Sequence, residues 1–134
     1  MHPAYAKAHE ISAKIIGAAI EVHRLKGPGL VEGIYKQCLL RELELRGIQS
    51  VNQQKVPVEY KGVTFEESIH LDAYADDCLV VGVKVVEKLL PVHRVQLLGH
   101  MRLLNAPIGL LFNFNAPMLK DGMARLVLEG ADRP

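Results

Sequence analysis

From Ala6 to Leu25 the apolar residues Ile11, Ile15, Ala18, Ala19 and Val22 recur at helical spacing, with Ile16 and Ile20 widening the stripe. Glu10, Lys14, Glu21 and Arg24 fill the other faces, so the pattern predicts an amphipathic helix. Gly27-Pro28-Gly29 stops it. A second helix is predicted from about Leu30 to Arg46, with Leu30, Ile34, Cys38 and the Leu39/Leu43 pair as its buried stripe and Gly47 as its stop. The period then changes. Val51 to Tyr60 reads as a strand whose Pro57 places it at an edge. Lys61-Gly62 reads as a turn, Val63 to Phe65 as a short strand and Ile69 to Ala75 as another. Cys78 to Val86 is short, apolar and β-branched, which predicts a buried central strand. Pro91 fits the first turn of a third helix reaching about Leu104, with Val95, Leu98, Met101 and Leu104 as its apolar stripe. Ile108 to Phe114 and Met123 to Leu128 complete the strands, and the tail from Gly130 is expected to fray. The order predicts one α/β domain over residues 1–134.

One position breaks the apolar pattern. Lys84 stands within Leu79-Val80-Val81-Gly82-Val83-Lys84-Val85-Val86. A lysine in a buried strand loses water and needs a partner or a function. Asp72 precedes it across a predicted turn at Asp76-Asp77. Strand alternation makes the turn length decisive. A two-residue loop pairs Asp72 with Val81, facing away from Lys84. A three-residue loop over Asp76, Asp77 and Cys78 pairs it with Gly82, on the lysine's face.

Composition narrows the class. With 49% hydrophobic and 23% charged residues, the chain has the makeup of a globular protein rather than a disordered one. The net charge of +1 argues against a globally basic nucleic-acid binder and leaves room for a local basic cleft. Cys38 and Cys78 lie in apolar segments and form no disulfide framework or zinc spacing, so free thiols and a cytoplasmic location are expected. The N-terminus has no signal-peptide pattern, and no apolar run is long enough to span a bilayer, so no membrane partner is expected.

Several segments carry a resemblance to a known family. Gly29-Leu30-Val31-Glu32-Gly33-Ile34-Tyr35 follows Ile16-Gly17-Ala18-Ala19-Ile20-Glu21-Val22-His23-Arg24 and Gly27-Pro28-Gly29. Val86-Glu87, Pro91-Val92-His93, Gln96-Leu97-Leu98, Leu110 to Asn115 and Leu119-Lys120-Asp121-Gly122 come after it in order. Together these resemble the GxxExxY family, a branch of the PD-(D/E)XK nuclease superfamily. The resemblance implies a restriction-endonuclease-like core, a mixed β-sheet flanked by helices, and phosphodiester hydrolysis of DNA or RNA assisted by Mg²⁺ or Mn²⁺.

Matched position by position, the resemblance implies that Asp72 and Glu32 are the metal-side acids. It makes Lys84 the charge-stabilising lysine and Gln96 the residue that orients water or phosphate. Two departures stand out. Gly82 occupies the acid position of the E-x-K element, and His100 stands where the family carries a tyrosine. A hard dication is held largely by anionic oxygens, so losing one acid is expected to weaken metal binding and activity. The other reading is a non-catalytic module that keeps the fold to hold nucleic acid, a protein partner or a second copy. Each site residue also has a structural explanation: Lys84 as a strand-end lysine reaching solvent, Glu32 as an acid favoured in a helix's first turn, and Tyr35 as core packing. His23, His93 and His100 point to chemistry only if they converge.

Overall fold

The computed structural model describes residues 1–134. Helix α1 spans Tyr5–Lys26 and α2 spans Glu32–Leu45. The connection between them needs glycine, because Gly27 and Gly29 have φ of 69° and 96°. Tyr35 then locks this loop to α2. Its hydroxyl donates to the Gly27 carbonyl at 2.5 Å and accepts from the Leu30 N–H at 3.0 Å, while its ring stacks on Phe114 at 4.8 Å.

Five strands follow: β1 (Ser50–Tyr60), β2 (Val63–Ala75), β3 (Leu79–Lys84), β4 (Ile108–Asn113) and β5 (Met123–Val127). They form one mixed sheet in the order β1-β2-β3-β4-β5. Only the β3/β4 pair is parallel, and helix α3 (Pro91–Leu104) makes the crossover that a parallel pair requires. The chain is therefore α/β, a five-stranded mixed sheet with helices on both faces.

Strand alternation divides the core in two. Ala73, Leu79, Val81, Val83, Leu110 and Phe112 pack against α1 and α2. Tyr74, Val80, Leu111 and Ala124 pack against Leu97 and Met101 of α3. Each fully buried Leu or Ile contributes about 1.5–3 kcal/mol by leaving water. Gly109 lets α3 approach closely, since a Cβ there would lie 2.5 Å from Met101 Sδ.

The fold corrects several sequence-based expectations. The stretch from Val63 to Ala75 is one strand, not two short ones. Its polar Glu66-Glu67-Ser68 segment remains extended because β2 pairs with β1 along most of its length and with β3 only from Ala73 to Ala75. The buried residues of α2 are Tyr35, Leu39 and Leu43, whereas Ile34 is exposed. On α3 they are Leu97 and Met101, and Val95 faces solvent. The strand containing Lys84 ends at Lys84 itself, so the lysine sits at a half-buried strand terminus rather than mid-strand.

Candidate active site

Two turns set the positions of the site residues. Lys61 and Gly62, with φ of 47° and 84°, make the two-residue loop joining β1 and β2. Asp76, Asp77 and Cys78 connect Ala75 to its partner Leu79, which is the three-residue register. Asp76 and Asp77 adopt φ of 46° and 55°, a left-handed conformation that aspartate tolerates better than most residues. The pairs Ala75/Leu79 and Ala73/Val81 then place Asp72 at the level of Gly82.

An irregularity shapes the same spot. Val51 pairs with Tyr74 and Gln53 with His70, so Leu71, Asp72 and Ala73 together face Asn52. Such a bulge bends the strand and re-aims a side chain. Here β2 leaves β3 beyond Ala73, and the Asp72 carboxylate takes over the ladder: Oδ2 accepts the Val83 N–H at 2.7 Å. Oδ1 faces the Lys36 ammonium of α2 at 3.6 Å.

Asp72, Gly82 and Lys84 line one cavity with Gln96 of α3. Its volume is about 380 Å³, within the range of small-molecule sites. His70, His93 and His100 also line it. On α3, His93, Gln96, Leu97 and His100 fall at spacings of three, four and seven, which gives one helix face. His93 Nδ1 accepts the Leu90 N–H at 2.9 Å, which places the ring proton on Nε2. The Lys84 ammonium and the side chains of Gln96, His70 and His100 have no hydrogen-bond or ion-pair partner in the chain. Behind Lys84, buried Asn113 fixes the outgoing backbone: it accepts the Val86 N–H at 3.1 Å and donates to the Val86 carbonyl at 2.9 Å.

The remaining sequence candidates lie elsewhere. Glu32 is exposed at the start of α2, one turn before Lys36, and does not line the cavity. His23 bonds the Ala116 carbonyl at 2.7 Å, apart from the other histidines. Sequence reasoning missed Lys36 and Leu111. Lys36 is four residues after Glu32, so any argument that brought that helix face to the site pointed to Lys36 as well. Leu111 has no signal beyond hydrophobicity. It occupies the space beside Gly82, where an added Cβ would lie 2.8 Å from Leu111 Cδ1.

A family sequence profile, that of the PD-(D/E)XK nuclease superfamily, matches residues 9–126. The chain belongs to the PD-(D/E)XK nuclease superfamily. No curated protein and no solved structure matches the chain significantly. No helix is long and apolar enough to cross a membrane.

Nucleases of this superfamily generally use Mg²⁺ or Mn²⁺. Such an ion takes oxygen ligands, with carboxylates supplying the compensating charge. The cavity of this PD-(D/E)XK chain offers one carboxylate, Asp72. One of its oxygens is engaged by a backbone N–H and the other faces an ammonium. No group of three or more His, Cys, Asp or Glu residues is arranged to hold a metal. The side chains present do not fit a hard dication.

Proposed function

We propose that this PD-(D/E)XK protein is of the GxxExxY type, a single domain over residues 1–134, with weak or absent phosphodiester hydrolysis and retained contact with nucleic acid. The observation that carries the reading is the balance of groups in the cavity. Its one carboxylate is already engaged, while Lys84 and Gln96 are free. A phosphodiester offers anionic acceptor oxygens, which a lysine meets as a point charge and an amide meets with directed N–H donors. Lys84 would hold the phosphate charge and Gln96 would orient it. Asp72 would fix the end of β3, and thereby Lys84, through the Val83 amide. Glu32, outside the cavity, has no role in this proposal.

A second reading, a protein-interaction module, draws on exposed Tyr60, Val63 and Phe65 near the β1/β2 turn. The surroundings of Lys84 favour the first, since His70, His93, Gln96 and His100 line the cavity beside its apolar floor.

The test is cleavage of DNA and RNA in Mg²⁺ or Mn²⁺ by the wild type, Gly82→Glu and Lys84→Ala. The reading expects wild-type cleavage near background and a gain in Gly82→Glu. Robust wild-type cleavage abolished by Lys84→Ala would overturn it.

A further inference from the structure

Lys36 of α2 does not itself line the cavity but sets a second positive charge beside Asp72, which does. Its ammonium is 3.6 Å from Asp72 Oδ1, and both side chains are partly buried, at 31% and 22% exposure. Without it, the carboxylate would repel any anion entering beside Lys84. With it, the pair is neutral and Lys84 leaves the cavity with a net positive charge. The other polar lining groups, His70, His93, Gln96 and His100, can all donate hydrogen bonds. We infer that the cavity receives a phosphate group without a divalent cation, with Lys36 supplying beside Asp72 the positive charge that a metal ion would otherwise bring. The inference rests on the nucleic-acid reading above and adds the means of recognition.

The two possible origins of charge make opposite predictions for one substitution. Asp72→Asn keeps an oxygen to accept the Val83 N–H but removes the negative charge. If the phosphate binds through protein cations alone, Asp72→Asn binds as tightly as wild type or more tightly. If a metal held by Asp72 mediates binding, the same change weakens it.

The experiment is fluorescence polarisation of a fluorescein-labelled single-stranded deoxyoligonucleotide, first in EDTA and then in Mg²⁺. Binding is expected in EDTA and should change less than about two-fold on adding Mg²⁺, beyond the effect of matched ionic strength. Lys84→Ala should weaken it about ten-fold or more, the scale of a lost charge-assisted hydrogen bond. Lys36→Met should weaken it and Lys36→Arg should restore it; this rescue separates lost charge from lost folding. Inorganic phosphate should displace the strand. Displacement by a mononucleotide as well would identify an isolated phosphate group as sufficient and supports the inference, whereas displacement by unlabelled strand alone, with none by phosphate, counts against it.

Binding that requires Mg²⁺ and is lost in Asp72→Asn overturns it, as does binding indifferent to Lys84→Ala. Cleavage of the labelled strand in Mg²⁺, read on a gel, contradicts the impaired-hydrolysis reading instead, and is scored separately from affinity in EDTA.

Discussion

Asp72 Oδ2 accepts the Val83 backbone N–H at 2.7 Å, at the point where β2 parts from β3. The carboxylate thus closes a gap in the sheet, and this structural task limits its freedom to serve as a ligand. Asp72→Ala leaves the amide without its acceptor and Lys36 without its counter-charge. The expected loss is about 1–3 kcal/mol in urea unfolding, with Asp72→Asn less costly because an oxygen remains. Equal losses in the two variants would contradict the hydrogen-bonding role.

Gly82 and Leu111 are expected to be coupled. A side chain at position 82 meets Leu111 Cδ1 at 2.8 Å, and that leucine is 1% exposed. Gly82→Glu should destabilise by about 1–3 kcal/mol through overpacking. Shortening the neighbour in Gly82→Glu/Leu111→Val should return part of that loss. A double-mutant cycle in thermal unfolding measures the coupling, expected at about 0.5 kcal/mol or more in the relieving direction. Additive effects would mean that Leu111 moves aside freely.

Tyr35→Phe removes one hydroxyl and with it both loop contacts, the donated bond to Gly27 and the accepted bond from Leu30. The predicted cost is about 1–3 kcal/mol, because the group is buried and leaves two backbone partners unmet. Amide exchange should accelerate at Leu30, and unchanged protection there would count against the clamp.

Burial pushes the Cys78 thiol up; Asp76 and Asp77 add to the rise and Lys7 opposes it. Burial also raises the Tyr74 phenol, with Asp77 and Cys78 adding to it. Both groups hold their protons more tightly folded than unfolded, so each contributes stability that is complete below its unfolded pKa. That contribution is lost as pH rises through the folded value. Stability should therefore fall from about pH 8.5 upward, first through Cys78 and then, from about pH 10, through Tyr74. Chemical denaturation across that range checks the sign, and Cys78→Ala should flatten its lower part. A thiol-reactive probe should modify half-buried Cys38 before buried Cys78.

Much of this arrangement was legible in the residue pattern, for definite reasons. Glycine and proline punctuate the helices, a β-branched run marks β3 and an apolar run marks β4, so element types followed from local chemistry. Strand alternation reduced the relation between Asp72 and Lys84 to two registers. Choosing between them required the left-handed conformations of Asp76 and Asp77, which aspartate permits without announcing. The single long β2 escaped because Glu66-Glu67-Ser68 resembles a break, whereas pairing with β1 keeps it extended. The buried face of α2 lies one residue on from the predicted stripe, because Tyr35 rather than Ile34 packs inward, against Phe114 and the loop. The face of α2 that carries Glu32 also carries Lys36, but its pairing with Asp72 depends on a bulge three dozen residues away in sequence.

In the metal-free proposal the charge beside Asp72 comes from Lys36 and not from a bound cation. Titration of the wild type with Mn²⁺, followed by electron paramagnetic resonance and repeated on Asp72→Ala, tests it most directly. No saturable binding that the substitution removes is expected. One Mn²⁺ bound per chain in the wild type, and lost in Asp72→Ala, would contradict it.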